Sequence, residues 1–267
     1  MDRCATNRVS NGGCNRMRSV RSIATAAKWR LMKHSLPFVA KLTDFDKAGV
    51  KFQVSNPVEH FRVISHGGET EYTSAMLQSL LKNDVLFDVG ANVGMVALHA
   101  ANICRTIAFE PDPLIRRRLE ANAALNPDRA LEIEGVAISD SDGVVDLYTD
   151  GDAGNSPSLV HQRGERGRVS VSARSIDSII DEGRLPCPTV IKFDIEGAEI
   201  LALRGAARLL ASSNRPRALF IEVHNTFLPG FGSSPDEVLE LLKGYGYNYT
   251  EYSAQRDDQL HLILSTS

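Results

Sequence analysis

The sequence predicts an α/β protein with a mostly parallel sheet and an antiparallel C-terminal edge. Three observations carry this. From residue 84 onward, short apolar runs alternate with helical patterns, the rhythm of βαβ units. The first run, Leu86-Phe-Asp-Val, leads into a glycine turn, a helix, and a second run ending Phe109-Glu110-Pro111. The last two runs, Tyr247–Tyr252 and Gln259–Leu264, are joined by a polar turn at 254–258 and read as a hairpin.

Val85–Val89 is short and apolar, as a strand buried on both faces must be. Gly90 lacks a Cβ, so the chain can turn there with positive φ and let a ligand approach the backbone. A helix over Val93–Asn102 follows, with free N–H groups at its start. Arg105–Glu110 is the second strand. Pro113–Leu125 is a helix with proline in its first turn, where the missing N–H costs nothing. Leu131–Ile138 is a third strand, with a break at Gly135 allowed. Val144–Thr149 and Arg168–Ala173 alternate as exposed or antiparallel strands do, and the polar, glycine-rich stretch 150–167 between them reads as a mobile loop or lid. Thr189–Asp194 and Ala218–Val223 are further strands, and Ala198–Leu210 and Pro235–Gly244 helices. Upstream, Val50–Val54 and Phe61–Ile64 alternate like strands, and Thr70–Lys82 has helical spacing at Tyr72, Met76, Leu77, Leu80 and Leu81.

Three segments result: a basic, disordered tail over 1–34, an accessory lead-in over 35–83, and the main domain over 84–267. The first forty residues carry eight Arg or Lys and a single acid, Asp2. Such a composition suits a disordered arm; an organelle transit peptide, or a misassigned start with Met17 or Met32 as the true one, are the alternatives. The expected location is therefore the cytoplasm, or else an organelle. A hydrophobic fraction of 43% and a net charge of -3 fit an ordinary globular chain without a global nucleic-acid signature. No apolar run approaches the ~18 residues of a membrane helix. Cys4, Cys14, Cys104 and Cys187 form no Cys-x-x-Cys pair, so free thiols in a reducing compartment are expected.

Ligands of open α/β sheets bind at the C-terminal ends of the strands. That rule gathers Asp88, Glu110, Asp194 and the Glu222–Asn225 stretch on one rim. Glu110 follows Gly90 by twenty residues, where a carboxylate can accept both hydroxyls of a ribose. The turn Gly90-Ala-Asn-Val-Gly94 lacks the Gly-x-Gly-x-x-Gly of a dinucleotide site. Asp88 at the strand tip would repel a diphosphate and attract an ammonium. The charge pattern therefore favours S-adenosylmethionine over NAD, and a NAD-dependent oxidoreductase becomes the weaker alternative.

Asp88-Val-Gly-Ala-Asn-Val-Gly94, Phe109-Glu-Pro111, Val136-Ala-Ile-Ser139, Ser175-Ile-Asp-Ser178, Ile191-Lys-Phe-Asp-Ile-Glu-Gly-Ala-Glu199 and Ile221-Glu-Val-His224 occur in this order. Over about residues 84–252 the chain resembles the FkbM-type S-adenosylmethionine-dependent methyltransferases. The resemblance implies a Rossmann-like class I methyltransferase fold with a seven-stranded sheet. It also implies methyl transfer to a hydroxyl of a sugar or small metabolite, with an N-methyltransferase or another small-molecule methyltransferase as the alternative. By position, it implies that Asp88, Gly90, Asn92 and Gly94 hold the methionine part of the cofactor. Glu110 would hold the ribose, with Pro111 and Asp112 beside it; Val136 and Ala137 would lie near the adenine, and Asp194 at the sulfonium end. The partner is a small-molecule or glycan acceptor, with no nucleic acid; the oligomeric state is not legible.

Transfer to oxygen needs a group that takes the acceptor's proton. Asp194, Glu196, Glu199, Glu222 and His224 are candidates, and Asp194 with His224 form the expected catalytic pair, because a neutral histidine suits proton removal near neutral pH. Lys192, alternating with Asp194, is expected to pair with Glu222. Asp194, His224 and Asn225 would allow a divalent cation, but their spacing is not diagnostic and none is expected. The other histidines, His261 among them, form no cluster in the sequence.

Overall fold

The computed structural model describes residues 36–47, 49–149, 158–159, 167–252 and 259–266. The tail 1–34, with Cys4 and Cys14, most of the 150–167 loop and the 254–258 turn lie outside the described residues.

Strands β1 (Phe38–Leu42) and β2 (Val50–Val54) form an antiparallel two-stranded sheet. Helix α1 (Pro57–Ile64) replaces the expected strand over Phe61–Ile64. Its start explains the difference. Pro57 sits in the first turn, the Asn56 side chain accepts the Glu59 N–H, and Glu59 in turn accepts the Ser55 N–H, a reciprocal cap. A short 3-10 turn (His66–Gly68) leads to α2 (Thr70–Ser79).

The main sheet then begins: β3 (Val85–Val89), α3 (Met95–Ala100), β4 (Arg105–Phe109), α4 (Pro113–Ala124) and β5 (Leu131–Glu134). The third strand of the sequence reading divides at Gly135, and β6 (Ala137–Ile138) joins another sheet. A Cβ at Gly135 would lie 2.6 Å from the Arg116 guanidinium, so the arginine packs directly over the break. β6 pairs with β8 (Gly167–Arg174), which runs antiparallel to β7 (Gly143–Thr149). Helix α5 (Ile176–Asp181), capped by Ser175, leads to β9 (Val190–Phe193), α6 (Glu199–Arg204) and α7 (Ala207–Ala211). Strand β10 (Ala218–His224), α8 (Pro235–Gly244), β11 (Tyr247–Tyr252) and β12 (Gln259–Thr266) complete the chain.

The seven-stranded sheet has the order β11-β12-β10-β9-β3-β4-β5. Strand β12 is antiparallel to both neighbours and lies one strand in from the edge, with β11 outside it. The chain leaves β3 toward β4 on one side and later returns to β9 on the other. That switch point opens a crevice at the C-terminal end of β3.

The two faces differ. One presents Phe87, Ile107, Phe109, Ile191, Phe193, Leu219 and Ile221, in a core shared with α5–α8. The other begins apolar with Leu86, Val190, Ala218 and Phe220, which pack beneath Tyr72, Met76, Leu77 and Leu80 from the α2 segment. On that face the strands change character together toward their C-terminal ends: Leu86 gives way to Asp88, Val190 to Lys192 and Asp194, Phe220 to Glu222 and His224. Among the described residues no helix is long and apolar enough to cross a membrane.

Candidate active site

A cleft of about 620 Å³ opens at the switch point. Gly90, Asn92, Glu110, Pro111, Ala137 and Asp194, six of the residues expected around a cofactor, line it. The Gly90 and Ala91 N–H groups both donate to the Phe109 carbonyl at 3.1 Å, which ties the turn to β4. Gly90 has φ +82, and a Cβ there would lie 1.9 Å from the Asp194 carbonyl oxygen. The turn is thus pressed against the end of β9, and only glycine permits it. Asn92 also has positive φ (+51), a conformation asparagine tolerates.

Glu110 is buried in the cleft wall. Its Oε2 accepts the Asn92 N–H and its Oε1 the Asp112 N–H, each at 2.9 Å. Burial raises its pKa to about 7, against the pull of those two N–H donors. Each oxygen keeps a lone pair for a further donor. Val136, Ala137, Ile138, Leu147 and Leu159 form an apolar wall beside it.

Three expected cofactor residues do not line this cleft. Asp88 is fully buried, and its Oδ1 meets Lys192 Nζ at 3.1 Å instead of facing a ligand. Register decides this: Asp88 pairs with Lys192 across β3 and β9, so both side chains share a face. Gly94 begins α3 with φ +91, and a Cβ there would stand 2.4 Å from Leu119 Cδ1, so the position packs against α4. Asp112 caps α4 through the N–H groups of Leu114 and Ile115.

Lys192 engages Asp88, Asp194 Oδ2 (3.4 Å) and the Gly90 carbonyl (3.4 Å), not Glu222 as the sequence suggested. Burial disfavours its charge, but Asp88 and Asp194 outweigh burial and raise its pKa. Asp194 shows the converse balance: burial is outweighed by Lys192 and His224, and its carboxyl is held low.

His224 corrects the sequence reading most. It does not line the cleft. Its Nδ1 lies 2.8 Å from Glu199 Oε1, and its Nε2 lies 3.5 Å from Glu196 Oε2 and 3.8 Å from Asp194 Oδ1. Burial would neutralise it, yet Glu199, Glu196 and Asp194 together push its pKa up to about 10. Set behind Asp194 and Glu196 and outside the cleft lining, its ring faces carboxylates and not the space an acceptor would occupy. Asp194, Glu196 and His224 form one group able to hold a metal ion; Glu69, Glu222 and His261 form another. His261 is therefore clustered after all, stacked on Tyr72 at 4.6 Å and 3.4 Å from Glu222. Glu69, from the turn before α2, meets Glu222, and burial with that neighbour raises its pKa to about 9. The chain separation of these groups hid them from sequence reasoning. Glu196, one of the candidates read from the sequence, occupies a strained turn with φ +52.

Residues 88–249 match the model of the methyltransferase FkbM domain, more than half of the chain. The chain belongs to the FkbM methyltransferase family. It is 27% identical over 229 residues to the hexuronic acid methyltransferase AglP of Haloferax volcanii, covering 85% of this chain and 89% of that protein. It is 28% identical over 200 residues to the 31-O-demethyl-FK506 methyltransferase FkbM of Streptomyces tacrolimicus, covering 63% of this chain and 74% of that one. The crystal structure of methyltransferase FkbM from Methylobacillus flagellatus KT shares the fold, with a TM-score of 0.50 at 18% identity. It overlaps 77% of this chain, which spans about half (52%) of that one. The protein is an S-adenosylmethionine-dependent methyltransferase of the Rossmann-like class I fold. The cleft suits that cofactor: a glycine turn whose backbone lines it, a carboxylate for hydroxyls and an apolar wall for a base.

Proposed function

We propose that this FkbM methyltransferase methylates an oxygen of a sugar or a small hydroxylated metabolite. The observation that carries the reading is the pair of carboxylates, Asp194 and Glu196, side by side in the wall of the cofactor cleft. Such a wall suits an acceptor that donates hydrogen bonds. The names of two relatives, which act on a hexuronic acid and on the 31-O position of FK506, support the same class.

When bound, S-adenosylmethionine would supply a methyl group on a sulfonium, with a neutral thioether as the leaving group that needs no acid. The chain's residues bind and orient. Glu110 accepts hydrogen bonds from the ribose hydroxyls, and Val136, Ala137 and Ile138 exclude water around the adenine. Gly90 and Asn92 receive the methionine part. Asp194, ionised through Lys192, sets an anionic surface at the sulfonium end and takes the hydrogen bond of the acceptor hydroxyl. Holding both reactants in register supplies much of the rate.

The test is transfer of a labelled methyl group to a panel of hexuronic acids, neutral sugars and amines. Label on oxygen of a sugar is expected. Label found only on amine nitrogen would overturn the acceptor class.

A further inference from the structure

We propose that Asp194, Glu196 and His224 form a divalent-cation site at the acceptor end of the cofactor cleft. Their ligand atoms all lie within 4.8 Å of one another. His224 Nε2 stands 3.5 Å from Glu196 Oε2 and 3.8 Å from Asp194 Oδ1. These gaps exceed the about 2.7–3.2 Å of a good hydrogen bond. They approach the spacing of donors that share one cation about 2.0–2.2 Å from each.

The imidazole itself points to a ligand. His224 is 2% exposed, and its Nε2 has no hydrogen-bond partner among the described residues. Its Nδ1 is fixed by Glu199, whose Oε1 also accepts the Gly197 N–H at 3.1 Å. A carboxylate that fixes one ring nitrogen and aims the other at the metal is the arrangement that orients ligating histidines. Three carboxylates surround His224, and a divalent cation would take the place of the proton they favour on its ring. Of the cations near them, Lys192 is engaged by Asp88, and Arg62 lines the same cleft and favours the ionised Asp194.

Two oxygens and one imidazole suit manganese, iron or zinc better than magnesium or calcium. Asp194 and Glu196 line the cleft while His224 lies behind them, so open coordination positions face the cleft. An acceptor hydroxyl bound there would be acidified and give its proton to solvent. The group Glu69, Glu222 and His261 lacks this outlook: none of the three lines the cleft, and Tyr72 covers His261.

The cation's role rests on the oxygen-acceptor reading above, so the site is tested without turnover. The full-length protein is titrated with Mn²⁺, free ion is counted by electron paramagnetic resonance, and S-adenosylhomocysteine binding is measured separately by calorimetry. Wild type should bind one Mn²⁺ per chain. Asp194→Asn and His224→Gln should weaken it at least about tenfold, and Glu199→Gln about tenfold, with S-adenosylhomocysteine still bound by Glu199→Gln. If His224→Gln does not fold, the wild-type titration and Asp194→Asn carry the test. No Mn²⁺ or Zn²⁺ bound by a wild-type protein that binds S-adenosylhomocysteine would overturn the site, as would affinity unchanged in Asp194→Asn. Methylated oxygen products without metal binding would overturn the site and leave the acceptor class standing. A stoichiometric Mn²⁺ lost in Asp194→Asn, with label only on nitrogen, would support the site and overturn the acceptor class instead.

Discussion

Lys192 Nζ lies 3.1 Å from Asp88 Oδ1 inside the central sheet, both side chains being almost wholly shielded from solvent. The same ammonium reaches Asp194 and the Gly90 carbonyl, so one cation joins the cofactor turn to the end of β9. Lys192→Met would leave Asp88 buried without its partner and should destabilise the fold by on the order of 3 kcal/mol. Adding Asp88→Leu to that variant should recover most of the loss. Urea unfolding of the single and double variants measures the coupling; additive losses would show that the two side chains act independently.

Glu110 makes cofactor affinity depend on pH. Its pKa of about 7 is raised by burial, so the protonated form predominates below neutrality. Accepting two hydroxyls requires the carboxylate. Binding of S-adenosylhomocysteine should therefore strengthen about tenfold as pH rises from roughly one unit below that pKa to well above it. Calorimetry across this range, on wild type and Glu110→Gln, tests the assignment. The variant should bind more weakly at the alkaline end and lose the slope; a slope that persists would move the titrating group elsewhere.

Glu69 makes stability depend on pH. Burial, and then Glu222, raise its carboxyl pKa from the ordinary 4.5 to about 9 in the fold. The unfolded chain sheds that proton first. The stabilisation held by the proton is complete below the unfolded pKa and is lost as pH rises through the folded one. Glu69→Gln, which mimics the protonated acid, should match wild type in acid and melt above it in alkali. Melting curves that stay parallel at every pH would contradict this.

Gly90 and Gly94 separate binding from packing. A methyl at Gly90 meets a backbone carbonyl at 1.9 Å, which cannot move aside. Gly90→Ala should lower stability by about 1–3 kcal/mol and abolish cofactor binding. At Gly94 the obstacle is the end of the Leu119 side chain. Gly94→Ala should destabilise yet leave cofactor affinity within a few-fold of wild type in protein that remains folded. Equal loss of affinity in both variants would return Gly94 to the binding turn.

The sequence made the βα rhythm, the Gly90 turn and Glu110 legible, because each is a local pattern: periodicity, a residue without Cβ, a carboxylate at a strand end. What it hid was partnership. Asp88 looked like a rim carboxylate because its place in the strand was visible and Lys192, 104 residues away, was not. His224 looked like a neutral base because Glu199 and Glu196 belong to another turn, brought beside it by the pairing of β9 and β10. Phe61–Ile64 alternated like a strand, but the cap built by Asn56 and Glu59 settled the backbone first.

The common level at which the sheet face turns from apolar to charged has a consequence for how this enzyme is handled. The roof over that level comes from Glu69 and Tyr72, upstream of the first residue of the family match at 88. A fragment trimmed to the matched residues would keep every motif and still flood this layer with water. Its carboxylates would return to ordinary acidity and its apolar strand ends would be laid bare. The unit of inheritance recorded by the family is thus smaller than the unit that sets the proton inventory of the site, and catalytic measurements belong on a chain that retains α2.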